Sequence, residues 1–418
     1  MPAQLETPPL YYPVLPQSLE SLGIPLGLAT DLFLRRLLQE GTSDLQTLSR
    51  ILKLPMILVD QVFRSMRQQQ LFEVKGMVGN DYRIMLSAAG RELATERLEI
   101  SRYCGPAPVS LEAYRAGVNA QSAAVAVNRS ALRQAFGDMV VSDQMLDQLG
   151  PAVISQSSIF LYGPPGNGKT SLAERLPRVF DDSVLIPYAV TVDGQIINVY
   201  DPVVHRAIPN EDEEIDARWV LCRRPCVIVG GELAPGMLEL LYDASSGTYS
   251  SPLQMKANGG ILIIDDFGRQ QMSPRDLLNR WIVPLDRRVD YLALSYGLKF
   301  EIPFEVMVVF ATNLAPSSLG DEAFLRRIQN KILVEPVNPE MFDEIFRRVA
   351  KAKKVTLPPE SLPAFRELCL GGGRSELRNC YPMDVCKILL AIARYEERPA
   401  EATVVDLQRA VKLYFASG

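Results

Sequence analysis

Between residues 20 and 102 the apolar positions recur at the three-to-four spacing of helices, and the repeat breaks wherever turn residues fall. LATDLFLRRLLQE runs up to Gly41, a residue suited to a helix C-terminus. A second segment, LQTLSRIL, follows Asp44, whose carboxylate suits an N-cap. A third opens at Pro55 and continues MILVDQVFRSMRQQQLF. FEVKGMVGNDYRIML then alternates apolar and polar residues on either side of a Gly/Asn turn, which predicts a hairpin. SAAGRELATERLEI returns to helical spacing.

Farther along, the pattern changes character twice. After a Gly-Pro-Ala-Pro break comes LEAYRAGVNAQSAAVAVNRSAL, read as a linker containing a short helix. Continuous apolar runs follow: SSIFLY, SVLIPYAVTV, CVIVGG, GILIID, VMVVFATN and KILVEPV. Separated by helical stretches, such runs predict strands buried on both faces of a parallel sheet. From about residue 337 the spacing is helical again in PEMFDEIFRRVAKAKK, ESLPAFRELCL, PMDVCKILLAIARYEE and EATVVDLQRAVKLYF. The expected division is a Pro-rich tail at 1–16, a helix-and-hairpin module at 17–102, a linker at 103–130, an α/β domain at 131–335 and a helical bundle at 336–418. The order of elements in the first module resembles a winged helix-turn-helix.

Composition narrows the classes. Of 418 residues, 47% are hydrophobic and 22% charged, the balance of a folded globular chain, with no apolar run near the ~20 residues of a membrane span. The N-terminal residues lack the basic and apolar blocks of a signal or transit peptide, so the expected location is the cytoplasm. Six scattered cysteines and the single His205 offer neither a zinc site nor a disulfide framework. The net charge of −5 gives no global attraction to nucleic acid. Residues 20–102 carry eleven Lys or Arg against ten Asp or Glu, without the basic stripe of a DNA-binding surface. Protein docking or oligomer contact is therefore the preferred role of this module, with DNA contact through residues 17–102 as the alternative.

The chemistry concentrates at Gly163-Pro164-Pro165-Gly166-Asn167-Gly168-Lys169-Thr170-Ser171, which directly follows the SSIFLY run. G-x-x-x-x-G-K-[ST] between a strand and a helix is a phosphate-binding loop. Its glycines let backbone N–H groups approach a polyphosphate, Lys169 reaches the β- and γ-phosphates, and the Thr170 hydroxyl serves Mg²⁺. The SLAERL stretch beyond it is expected to set a positive helix end against the phosphates. Downstream, ILIID ends at Asp265, placed to hold Mg²⁺, beside Asp266, placed to polarise the attacking water. VMVVFATN brings Asn313 to the tip of a third strand, where an amide can orient water or touch the γ-phosphate.

Taken in order, GPPGNGKT, ILIIDD, ATN, DEAFLRRI and a helical lid resemble the AAA+ ATPases across roughly residues 130–418. The resemblance implies a P-loop NTPase core with a C-terminal lid, ATP and Mg²⁺ as ligands, and a homo-oligomeric ring, most often a hexamer. It also implies that Arg326 or Arg327 reaches the γ-phosphate of a neighbouring subunit. Two positions depart from the family: Asp266 stands where Glu is usual, and Met383 stands where many relatives place a lid arginine, for which Arg378 or Lys387 could substitute. The AVTVDGQIINVYDP stretch predicts a hairpin about Asp193-Gly194, read as an edge extension of the sheet, and His205 is read as structural.

The function expected is ATP hydrolysis that remodels a macromolecular client, preferably protein. An ATP-gated DNA-binding regulator and a slow-turnover ATP switch scaffold are the alternatives.

Overall fold

The computed structural model describes residues 11–79, 81–122, 127–210, 212, 214–319 and 326–415. The chain divides into two compact units, one of Met1–Val125, Asp181–Leu262 and Asp276–Met307, the other of Ala126–Phe180, Ile263–Arg275 and Val308–Gly418.

In the first unit, helix Leu26–Glu40 ends where Gly41 takes a positive φ of 76° and donates its N–H to Leu37 O. Asp44 Oδ1 accepts from Thr47 N at 2.6 Å and opens helix Leu45–Leu52. Helix Met56–Gln68 follows, with Pro55 at the N-cap. Strands Thr42–Asp44, Asp81–Leu86 and Phe72–Val78 form an antiparallel sheet with Asp81–Leu86 in the middle. Helix Ala88–Ile100 starts at Ser87, whose hydroxyl accepts from Gly90 N. Leu32, Phe33, Leu48, Val59, Val62 and Ile84 close the core between these elements. On the outside, Arg64 pairs with Asp60 and Lys75 with Glu73, so part of the basic charge is locally neutralised.

Within residues 103–130, read as a linker containing a short helix, strand Val109–Ser110 and helix Leu111–Gln121 form and bury Val109, Tyr114 and Val118. The SVLIPYAVTV run is not one strand of the parallel sheet. It breaks at Tyr188 into Ser183–Pro187, paired with Trp219–Arg223, and Ala189–Val192. Ala189–Val192 and Gln195–Asn198 do form the expected hairpin, with Asp193 and Gly194 both at positive φ as a tight type I′ turn requires. That hairpin lies inside a separate five-stranded sheet, in the order Leu241–Asp243, Thr248–Ser250, Gln195–Asn198, Ala189–Val192, Val109–Ser110, and is no edge extension of the phosphate-loop sheet. Val190 and Ile197 are fully buried and Ala189 and Ile196 nearly so. Burial on both faces gives the same apolar run in either kind of sheet, and the letters alone do not separate the two.

His205 is a buried structural residue: Nδ1 accepts from Asp201 N at 2.9 Å and Nε2 donates to Lys256 O at 2.8 Å. Burial pushes its pKa down, which keeps the ring neutral. Arg280 is engaged by Asp290 and Glu239 within the same unit.

The other sheet has the strand order Cys226–Val229, Ile261–Ile264, Met307–Thr312, Ile159–Tyr162, Asn330–Leu333. Ile159–Tyr162 runs parallel to both its neighbours, pairing Leu161 with Ala311 on one side and Ile332 on the other. Connections that return to the same end of a parallel sheet put the three polar strand ends side by side. In the second unit the ring of Phe267 packs edge to face on those of Phe160 and Phe310, which are tilted against each other. The C-terminal bundle consists of Pro339–Lys353, Ser361–Leu370, Cys380–Tyr395 and Val404–Tyr414 around Phe342, Phe346, Phe365 and Leu389. The fold class expected from the sequence, a parallel-sheet P-loop core followed by a helical bundle, is the one observed.

None of the six cysteines is in a disulfide, and burial pushes the thiols of Cys222, Cys369 and Cys386 up to about 12. Among the described residues no helix is long and apolar enough to cross a membrane.

A Cβ on Gly90 would lie 2.1 Å from Leu71 O, so helix Ala88–Ile100 approaches the preceding chain only because residue 90 has no side chain. Gly90→Ala is expected to destabilise this unit by about 1–3 kcal/mol. An unchanged denaturation midpoint for the full chain would contradict that close approach.

Candidate functional site

Three strand ends in the second unit carry the polar groups. Strand Ile159–Tyr162 is buried for three residues and then turns at Gly163, with φ 139°, where a Cβ would stand 2.5 Å from Val334 O. Gly166 and Gly168 have φ of 82° and 87°, the left-handed region in which a side chain is strained. The curled loop returns the chain so that Lys169 folds back over it. Lys169 Nζ donates to Gly163 O and Pro164 O, each at 2.9 Å, and to Asn313 Oδ1 at 2.8 Å. Burial lowers the Lys169 pKa, and the negative charges of Asp266 and Asp265 oppose that shift.

The helix after the loop is shorter than its composition suggests. Lys169–Ala173 is a single α-helical turn, followed by a 3-10 turn at Leu176–Val179 that contains Pro177. Proline lacks the N–H that the next helical hydrogen bond needs, and its ring crowds the preceding turn. No long helix dipole therefore stands behind the loop.

Asp265 follows the fully buried strand Ile261–Ile264. Its Oδ1 accepts from Thr170 Oγ1 at 2.9 Å and from Asp266 N at 3.0 Å. A hydroxyl and a carboxylate oxygen in contact are hard donors suited to Mg²⁺, which takes one or two protein oxygens and completes its shell with water and phosphate. Among the described residues there is no cluster of three or more His, Cys, Asp or Glu that could hold a metal ion. A glycine-rich loop, a hydroxyl and a carboxylate thus meet at the polar end of a parallel sheet.

Around the P-loop lies a cavity of about 500 Å³. At one end it is lined by Gly166, Lys169, Thr170, Asp265, Asp266 and Asn313. Met139, Val140, Ile345, Val349 and Met383 line it as well, with Asp138, Arg175, Arg348 and Asp384 among them, so one cavity offers charged and amide groups together with apolar side chains. That combination suits a ligand with a polyphosphate at one end and a flat, weakly polar ring at the other. At the rim, Arg175 donates to both oxygens of Asp138 and holds that carboxyl below its usual range, with Arg178 adding to the effect. Arg348 Nη1 donates to Gly137 O and Met139 O and so fixes the stretch that supplies Met139.

Of the residues singled out from sequence, Pro165, Gly166, Gly168, Lys169, Thr170, Ser171, Asp265, Asp266 and Asn313 all line this cavity. Asn167 does not: it is fully buried, and its Nδ2 donates to Val334 O at 3.2 Å, bracing the P-loop from behind. Arg326 is exposed, and neither it nor Arg327 is among the lining residues. Residues 320–325 of the DEAFLRRI segment lie outside the described residues. Neither of the two cations considered for the lid lines the cavity: Arg378 is close enough to lower the Lys169 pKa, and Lys387 pairs with Asp384.

Sequence reasoning missed the bond between lid and P-loop. Asn379 Nδ2 donates to Asn167 O at 2.9 Å, and Cys380 N donates to Gly166 O at 3.0 Å. It missed the apolar lining as well. Ile345 and Val349 stand four residues apart, a spacing that reads equally as helix core.

The lid is also where a sequence family is found, since residues 338–413 match one described as "Domain of unknown function (DUF8689)". No curated protein matches the chain in sequence. Among solved structures, the chain is similar to NtrX from Brucella abortus in complex with ADP, with a TM-score of 0.43 and 14% identity over 69% of this chain and 59% of that one. It is also similar to the Thermotoga maritima RuvB Holliday junction branch migration motor, with a TM-score of 0.39 and 12% identity over 70% of this chain and 72% of that one. The match spans less than two-thirds of the NtrX chain.

A Cβ on Gly166 would lie 2.6 Å from Cys380 Sγ, at a φ that already disfavours any side chain. Gly166→Ala is expected to weaken nucleotide binding at least tenfold while leaving the thermal unfolding of the first unit in place. Titration with a fluorescent ADP analogue checks this, and wild-type affinity would show that loop and lid do not meet so closely.

Proposed function

We propose that this chain is an ATPase of the AAA+ type, in which ATP hydrolysis drives remodelling of a macromolecular client. The observation that carries the reading is the meeting of Thr170 Oγ1 and Asp265 Oδ1 at 2.9 Å, on a cavity shared with Lys169, Asp266 and Asn313. Thr170 and Asp265 would hold Mg²⁺, which when bound supplies charge neutralisation between the β- and γ-phosphates. P-loop amides and the Lys169 ammonium bind the phosphates. Lys169 must then exchange carbonyl and amide acceptors for phosphate oxygens, which releases Asn313 Oδ1 from its present partner. Asn313 orients the attacking water, and the Asp266 carboxylate polarises it and accepts its proton. Met139, Val140, Ile345 and Val349 exclude water and hold the base.

A protein client is preferred over DNA on the charge of the N-terminal module. Residues 20–102 carry eleven Lys or Arg against ten Asp or Glu, and Arg64 is paired with Asp60 and Lys75 with Glu73, so the module has little net cationic charge to neutralise phosphates. The ring remains part of the proposal through Arg326 and Arg327, which lie off their own cavity and would complete a neighbour's.

Lys169→Ala is expected to abolish ATP binding, and Asp266→Asn to keep binding while lowering turnover at least a hundredfold. Unchanged turnover in Asp266→Asn would remove that residue from the chemistry. Mixtures of Lys169→Ala subunits with Arg326→Ala or Arg327→Ala subunits are expected to regain part of the ATPase activity that each variant lacks alone. Failure of every mixture to recover activity would argue against sites shared between subunits.

A further inference from the structure

Asp266 sits in an unusual backbone state, with φ of 48°, at the first exposed position after a buried strand. Left-handed backbone is uncommon outside glycine, although Asp tolerates it better than most residues. Such a state persists only where its surroundings over-determine it.

Two sets of contacts do so here. On one side Phe267 is an anchor: its N–H donates to Ala311 O at 2.8 Å, its carbonyl accepts from Thr312 Oγ1 at 2.6 Å, and its ring is buried. On the other side the Gln270 carboxamide spans the turn. Gln270 Nε2 donates to Asp265 O at 3.0 Å and to Asp266 O at 3.2 Å, while Gln270 Oε1 accepts from Gly268 N at 2.7 Å. One side chain thus satisfies backbone groups of three residues in the turn Asp265-Asp266-Phe267-Gly268. Gly268 itself has φ of 109°, a backbone state that L side chains rarely adopt.

We infer that Gln270 is a positioning residue for the reaction: its carboxamide locks the turn in the left-handed state that presents the Asp266 carboxylate to the cavity. Asp is one methylene shorter than Glu and has one fewer rotatable bond, so its reach toward a water at the γ-phosphate depends more closely on where the backbone sets its Cα–Cβ bond. A brace on the backbone is then a brace on the carboxylate. Gln270 is not among the cavity-lining residues and acts through Asp266. The inference rests on the proposed role of Asp266 in activating water.

The test uses the full chain and compares Gln270→Ala, Gln270→Glu, Asp266→Asn and the double variant Gln270→Ala/Asp266→Asn. ATP turnover and the affinity for a fluorescent ADP analogue are read for each. A misplaced reacting group costs on the order of a hundredfold, so Gln270→Ala is expected to lower kcat about tenfold to a hundredfold, with KM and ADP affinity within about twofold of wild type. Gln270→Glu keeps the shape but loses both donor bonds, and is expected to fall with it. The double variant is expected to be no slower than Asp266→Asn alone, because both changes remove one function.

Wild-type turnover in Gln270→Glu, or losses that multiply in the double variant, would overturn the inference. So would a loss of ADP affinity in Gln270→Ala parallel to its loss of turnover. A normal Asp266→Asn enzyme would instead bring down the role of Asp266 itself, an outcome distinguishable from failure at Gln270 alone.

Discussion

A buried ammonium group must have acceptors, and in this chain the phosphate loop supplies them to its own lysine. Lys169 Nζ is held by two loop carbonyls and by Asn313 Oδ1, so its charge is compensated by the curvature of the loop and by the end of a neighbouring strand. The loop can present those carbonyls because Gly163, Gly166 and Gly168 adopt backbone angles that a side chain would oppose. The Thr170–Asp265 bond then ties the loop to a second strand. Three strand ends are thereby registered by side-chain bonds at one edge of the sheet. The same groups that satisfy one another are the groups a magnesium-bound triphosphate would engage, so little rearrangement separates the two arrangements.

Legibility in the sequence followed the locality of each signal. The P-loop is contiguous, and its geometry depends on glycines at fixed offsets, so the letters and the conformation correspond directly. Asp265 and Asn313 were legible because a buried apolar strand ending in a polar residue is a local pattern too. The apolar lining of the cavity was not, since Met139, Val140, Ile345 and Val349 converge from distant segments and resemble core residues in every local respect. Asn167 was assigned to the ligand from its place in the motif, yet its side chain is turned to Val334 O, which only the tertiary fold supplies.

The departures from expected secondary structure have equally specific causes. Pro177 cuts the helix after the P-loop to one turn, an effect visible in the sequence but outweighed there by the helical composition of SLAERL. The SVLIPYAVTV run divides at Tyr188 because its halves pair with different partners, Trp219–Arg223 and Gln195–Asn198. Tyr188 N–H bonds to Arg218 O, and its carbonyl accepts from Val199 N and Tyr200 N, so the break is stitched by backbone bonds and no polar letter marks it.

The lid shows how a missing charge changes the kind of coupling available. Met383 lines the cavity where the family resemblance implies an arginine, and the nearby Arg378 pairs with Glu376 at 3.6 Å. The lid instead meets the P-loop through Asn379 to Asn167 O and Cys380 N to Gly166 O. A cation 4 Å from a phosphate interacts by about 4 kcal/mol at an effective dielectric of 20 and still acts at twice that distance. A neutral hydrogen bond contributes about 0.5–1.5 kcal/mol and is lost within an ångström of stretch. Contacts of the second kind report the shape of the loop backbone rather than the charge bound to it. In this chain, then, the C-terminal bundle is bonded to the P-loop through the carbonyls of Gly166 and Asn167.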